Sequence, residues 1–457
     1  MVSVTKKPCH TLSVANSRGV LLAAHSGKVL GRLLRAELMP HLRLAALETQ
    51  LGGVPRKSID LASHLTRLRM ARAARRGWSA ATLFVDQTAA FYRASVEGAA
   101  AELLRAGADP AAVQMLSEWH RGSWFEVDGS GLVALPGGGA RPGDPLADVT
   151  FSADFVGLLR AVRAELVARG YLTTSTLREG GIFSPGAELE EPAEQTGPTW
   201  VDDETIFLEH PDPVELLRRL KDAADIFITI AAQRGHQVNL SHGKTEAVVR
   251  LAGPGKVAAL SILTPQVASD ADTRDVLLLD IGHGRSLRIV REYKHLGTML
   301  TICGGLRREA ARRACSSRAV VVAFRRRLLA DRSLGRGVRA RMLHSFVDAA
   351  QFSAAGCWEE LPKRDERRLE AVRMSAVRSM LGERAGPGCR PDRALREDLG
   401  VLSVGAALRG RRLRYLPRLS LEAPSALLAL LQAEPLDRGW KAAAHAADAF
   451  QPARRPS

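Results

Sequence analysis

Two apolar segments that end on or enclose aspartates constrain this chain more than any other feature. ATLFVDQ (81–87) is a run of strand-forming residues that closes on Asp86, and TWVDDETIFLE (199–209) sets Asp202 and Asp203 between two short apolar runs. The first reads as a buried strand, the second as a hairpin with its aspartates at the turn. Carboxylates amid such residues are costly to bury unless something compensates. Two adjacent ones repel each other unless they share a cation. Oxygen donors without a His/Cys cluster select Mg2+, or Mn2+, over zinc. Any one of these aspartates taken alone reads more simply as a loop residue.

The surrounding chain supplies a body for such a site. Residues 18–50 open on a short apolar stretch and continue at helical spacing, and 58–77 are helical as well. Residues 127–145 are a Gly/Pro-rich loop, a helix spans about 147–170, and 176–198 form a polar, exposed insertion. DPVELLRRLKDAADIFITIAAQRG is an amphipathic helix with a glycine stop. VNLSHGKTEAVVRL, VLLLDIG and SLRIVREYKHLGTML are strand-like, and Arg-rich helices follow at about 306–330, 336–356 and 363–381. The expected fold class is α+β: a strand-centred body over 1–302, a basic helical region over 303–383 and a C-terminal tail over 384–457. No glycine fingerprint in a βαβ unit marks a dinucleotide fold.

Charge is distributed unevenly. Met1–Ile302 carries 34 Lys+Arg against 33 Asp+Glu, whereas Cys303–Ser457 carries 31 against 16. A basic lobe beside a neutral one suits a polyanion held against a separate catalytic body, although an Arg-rich helical surface can also be merely solvated. The five cysteines form no CxxC pair, which argues against a disulfide framework or a structural zinc site. The N-terminal MVSVTKKPCHTL lacks a signal-peptide core, and no run approaches the ~18 apolar residues of a membrane span, so a soluble intracellular protein is expected.

Five segments, in order, resemble the polymerase motifs of reverse transcriptases of the non-LTR (LINE-like) retrotransposon family. FVDQTAAFY (84–92) resembles the first, RPGDPLADVTF (141–151) the second, WVDD (200–203) the third, VNLSHGKTE (238–246) the fourth and YKHLGTML (293–300) the fifth. RGVLLAAHSGKVLGRLL (18–34) is similar to the fingers segment, and the resemblance spans about 15–385. It implies a right-hand architecture of fingers, palm and helical thumb, and RNA-directed DNA synthesis on an RNA template, a DNA primer and deoxynucleoside triphosphates. Asp86, Asp202 and Asp203 would then hold Mg2+ or Mn2+, with Lys244 beside the phosphates. Phe91 would lie under the sugar and exclude ribonucleotides. Arg18, Lys28, Gly143, Asp144 and Pro145 would contact the nucleotide. Tyr293, Leu296, Gly297, Arg308 and Arg312 would contact primer and template, within a wider basic set that includes Arg307, Arg313 and Arg325–Arg327.

The chain departs from the pattern at Pro142, where the family has Gln, at Tyr92, where many members have a second Asp, and at Asp148, where Pro is usual. No endonuclease, Cys/His knuckle or RNase H carboxylate set is expected. The same carboxylates would serve a metal-dependent nuclease, and a remnant without chemistry would keep only its nucleic-acid surface.

Overall fold

The computed structural model describes residues 2–5, 17–20, 22, 24–126, 131–135, 137–177, 191–194, 196–266, 276–383, 386, 388–433 and 440. The chain is a mixed α+β protein organised on one six-stranded sheet. Its strands are β1 (Ser79–Val85), β2 (Glu204–His210), β3 (Glu246–Arg250), β4 (Thr264–Pro265), β5 (Leu277–Gly282) and β6 (Arg285–Val290), in the order β4-β5-β6-β3-β1-β2. All neighbours are antiparallel except β6 and β3. A separate hairpin of β7 (Glu292–His295) and β8 (Thr298–Thr301) follows.

Every residue of β1 is buried. Both faces of this strand are covered, which is why its sequence is an unbroken apolar run and not an alternating one. On one face Leu83, Ile206 and Ala247 meet Phe151, Phe155, Leu220 and Phe227 from α3 (Ala147–Ala168) and α4 (Pro213–Gln233). On the other, Phe84, Phe207 and Val248 meet Met70 and Ala73 of α2 (Ile59–Arg76). Full burial of one such side chain stabilises the fold by about 1.5–3 kcal/mol. Against a third core, α1 (His25–Ala45) packs Leu34, Leu38 and Leu42.

Beyond the β7–β8 hairpin come α5 (Arg307–Phe324), a widened π-helical turn at Arg325–Leu329, a second helix interrupted by another π-helical stretch at Leu343–Asp348, and α6 (Lys363–Leu381), which stops at Gly382 with φ +74°. The helix expected over 336–356 runs from 336 to 351 with a π-helical stretch inside it, and it ends before the left-handed Ala354. Residues 392–433 are largely helical too: α7 (Asp392–Leu399), α8 (Val404–Glu422) and α9 (Ser425–Ala433). Leu395, Val404, Leu408, Tyr415, Leu427 and Leu430 share one core with Val372 and Val377 of α6 and with Leu61, Leu65 and Leu68 of α2. The expected insertion is bounded by a short antiparallel pair, 174–177 with 191–194, and residues 178–190 between them lie outside the described set. Among the described residues, no helix is long and apolar enough to cross a membrane.

Candidate active site

Strand register builds the site. Val85 pairs with Glu204 and Phe84 with Glu246. The end of β1, the start of β2 and the start of β3 therefore lie side by side. The residues just beyond them, Asp86, the Asp202–Asp203 turn and Lys244–Thr245, emerge at one end of the sheet.

Asp86 is held in place from the backbone outward. Its N–H donates to Thr245 Oγ1 at 3.1 Å, and its carbonyl accepts from Asn239 N at 2.9 Å. Asn239 Nδ2 donates to one carboxylate oxygen at 3.2 Å, and Lys244 Nζ lies 3.0 Å from the other. Asn239 and Thr245 stand inside the VNLSHGKTE segment, but sequence reasoning gave them no role. The signal was a side-chain amide two residues into a strand-like run, a residue type better suited to turns than to strands.

Val201 and Asp202 form a two-residue turn, which Asp203 closes. Trp200 and Asp203 exchange both backbone hydrogen bonds, at 2.8 and 3.0 Å, and Val201 between them has φ +58°. A β-branched residue in that region is a real outlier, which the surrounding structure must impose. The imposition is visible: Leu51 N and Gly52 N both donate to Thr199 O, and Thr199 N donates to Thr49 O. A Cβ on Gly52 would lie 2.1 Å from Val201 N, so only glycine lets the 51–53 segment back the turn this closely. Ala89 (φ +53°) and Leu296 (φ +48°) are two further non-glycine residues in the left-handed region. One follows Asp86 by three positions, and the other opens the β7–β8 turn.

Like charges accumulate here. The Asp203 carboxyl is pushed up to about 7, first by burial and then by Asp202 and Asp86, with Lys244 opposing. Next to it, the buried Glu204 carboxyl is pushed up to about 8 by desolvation and is hydrogen-bonded to Thr199 Oγ1. Tyr293 stacks on Phe84 with centroids 4.3 Å apart and donates its hydroxyl to Lys244 O at 2.6 Å. Burial, with Asp203 and Asp86 behind it, holds that phenol protonated. The hairpin turn at Leu296–Gly297 is thereby tied to the sheet end. Its other side is gripped by α5, where Arg312 Nη2 and Arg313 Nη2 both donate to Gly297 O.

The donor set at the sheet end is the hard-oxygen type that suits Mg2+ or Mn2+, and mutual repulsion is what a divalent ion would relieve. Among the described residues, no three His, Cys, Asp or Glu side chains stand in metal-holding geometry.

The second-motif segment lies against this site. Asp144 N donates to Arg141 O at 2.9 Å, and Gly143 has φ +95°. This is a type II turn with proline at its second position, where Pro142 presets the backbone. Asp144 turns inward. Its carboxylate accepts from Trp119 Nε1 at 3.0 Å and from Leu146 N at 2.9 Å, so it shapes the loop that leads into α3. Ala140 N donates to Phe91 O at 2.7 Å, and the half-buried Phe91 ring stacks on Phe151 at 4.7 Å. Tyr92 is exposed, and its backbone is approached closely by Gly139. Asp148 receives a two-pronged contact from Arg35, with Nη2 to Oδ2 at 2.6 Å. A cleft of about 580 Å³ between α1 and this loop brings Lys28, Arg32 and Arg35 to Gly143, Pro145 and Asp148. Arg18 falls in the strand Ser17–Val20, and its side chain lies outside what is described.

Arg308 and Arg312 are engaged within the protein. Arg308 forms a two-pronged pair with Glu292 at 2.7 and 2.9 Å, and Arg312 pairs with Glu309. Arg307, Arg318 and Arg325–Arg327 are exposed, and no ion pair is formed by any of them among the described residues.

No family model matches the chain, and no curated protein does. Among solved structures it is similar to telomerase from Candida albicans, in complex with a TWJ fragment of telomeric RNA, at a TM-score of 0.33 and 11% identity. The alignment covers 87% of this chain and 57% of that one, so the chain spans little more than half the length of the protein it matches.

Proposed function

We propose that this chain is an RNA-directed DNA polymerase of the non-LTR retrotransposon type, acting on an RNA template, a DNA primer and deoxynucleoside triphosphates. The observation that carries the reading is the convergence of Asp86, the Asp202–Asp203 turn and Lys244 at one end of a sheet, from three segments far apart in sequence. Those segments are the ones whose order resembles the family motifs.

Asp86 and Asp202, with Asp203 beside them, would hold Mg2+ or Mn2+, which supplies activation of the primer hydroxyl and neutralises charge on the triphosphate. Lys244 Nζ lies 3.0 Å from Asp86 and is half exposed, which suits it to phosphate charge arriving at the same place. Phe91, anchored by Phe151 and by the Ala140 backbone, presents a ring that a ribose 2′-hydroxyl would meet. Lys28 in the basic cleft faces the exposed Gly143 tip, an arrangement for the outer phosphates of a nucleotide. Tyr293, Leu296 and Gly297 form a rigid turn against which a primer end can rest.

The test is incubation of the purified chain with a primed RNA template, dNTPs and Mg2+ or Mn2+. Primer extension is expected. Shortening of the nucleic acid would instead make the chain a nuclease, and a mobility shift without either would make it a binder.

A further inference from the structure

A second arginine-rich cleft shares no residue with the sheet-end site. It lies where α8 passes over the first turn of α2, beside the turn at 354–356, and encloses about 440 Å³. Asp60, Phe352, Arg411, Arg414, Tyr415 and Arg418 line it. The three arginines are spaced i, i+3, i+7 along α8, so one helix face presents them in a row about 10 Å long.

The use made of arginine on this helix differs from one face to the next. Arg412 points inward and is consumed by structure: it donates to the carbonyls of Trp358 and Glu359 at 2.8 and 2.9 Å. None of Arg411, Arg414 and Arg418 forms an ion pair or a hydrogen bond among the described residues. Arg411 is half-buried and its guanidinium lies over the Phe352 ring, 4.3 Å from the centroid, which fixes it at the wall of the cleft without using its donors. Arg414 and Arg418 are exposed at the rim. Asp60 is the one carboxylate on the lining, and its Oδ1 is buried with no hydrogen-bond partner. Three cationic groups thus face one acid.

We propose that this cleft binds the sugar–phosphate backbone of a nucleic-acid strand through two or three successive phosphates. A single small anion would engage one or two guanidiniums, whereas a row of this length matches a repeating charge. Guanidinium forks with free donors suit phosphate oxygens and carry no base preference. The inference rests on the nucleic-acid part of the reading above, and because it is read out by equilibrium binding it stands or falls separately from extension.

The experiment uses the full chain and a 5′-fluorescein-labelled 20-nucleotide oligo(U), with binding followed by anisotropy from 50 to 200 mM KCl. R414Q/R418Q comes first, since both side chains are exposed and form no ion pair or hydrogen bond among the described residues, and R411Q is then added. Each lost single-strand contact should flatten the log–log salt slope by about 0.7, so about 1.4 for the double variant. Affinity should fall about tenfold or more, while R414K/R418K keeps the parental slope. An unchanged slope and affinity, in a variant that melts as the parent does, overturns the proposal. So does inorganic phosphate that raises the parental melting temperature but not that of R414Q/R418Q, while both proteins bind oligo(U) equally: the cleft would then take only a free anion.

Discussion

At the end of the central sheet, like charges are left facing one another: burial first, and then Asp202 and Asp86, drive the Asp203 carboxyl up to about 7. In the helical half the same kinds of group are taken apart and matched. Arg373 is buried against Asp348 with both oxygens engaged at 2.9 Å, Arg339 donates to Met380 O, and Arg313 is held by Glu309. One region keeps electrostatic conflict that a ligand could resolve, and in the other Arg373, Arg339 and Arg313 are matched internally. The difference separates residues whose loss should alter chemistry from residues whose loss should alter stability.

The largest effect is expected where the conflict is kept. Asp86→Ala or Asp202→Ala should lower primer extension by about a thousandfold or more, and Asp203→Asn by less. Melting should not fall, because removing one of several repelling carboxylates relieves strain. If Asp86→Ala extends primers as the parent does, the site is elsewhere. The converse holds in the helical half. Arg373→Met strands a buried Asp348 and should cost about 3 kcal/mol or more in urea unfolding, with much of it recovered in Arg373→Met/Asp348→Leu. An Arg373→Met protein as stable as the parent would mean the buried pair contributes nothing.

Acid should not distinguish the two regions. Burial lowers His295 in the β7–β8 hairpin and His64 in the helical core to about 3. Each is neutral when folded but takes a proton when unfolded below about 6.5, so the stability is full above that pH and is lost as pH falls toward 3. Between pH 6.5 and 5 the loss is about 2 kcal/mol per imidazole. A pH series of unfolding midpoints that stays flat over this window would remove both from the account.

Smaller effects follow from the exposed arginines. R325Q/R326Q/R327Q should weaken binding to a primer–template duplex about tenfold and flatten its salt dependence at constant stability. The Arg308 and Arg312 pair expected at first is a poorer probe, because both already hold Glu292, Glu309 and the Gly297 carbonyl. Retained binding with an unaltered slope would make the 325–327 tract plain solvated helix. Smallest is Phe91→Val, for which the ratio of kcat/KM between matched dNTP and rNTP should shift several-fold toward the ribonucleotide. An unchanged ratio would leave Phe91 as a partner of Phe151 only.

Much of the sheet was legible because β1 is covered on both faces, and a strand so placed must be apolar throughout. Asp86 stood out against that background. The register that delivers Lys244 and Asn239 to it was not legible, since it is fixed by pairings between residues more than 150 positions apart. The helices after 384 were hidden for another reason. They are dense in arginine, and arginine reads as solvent-facing, yet Arg412 is buried by donating to two carbonyls, just as Arg373 in α6 is buried against a carboxylate. The same disguise covers α2, where Arg67, Arg69 and Arg72 are all buried. Arg67 spans from that helix to the carbonyls of Met299 and Gly304.

Gly52 has a consequence of another kind. Each aspartate at the sheet end can be replaced by a near-isostere that keeps shape and removes function, as Asn replaces Asp. At position 52 that choice does not exist, because what matters there is an empty volume. An alanine would act on the aspartates through the peptide plane of Val201, subtracting no functional group and adding one methyl. The most demanding position in the site is therefore one that an inventory of reactive groups would never include.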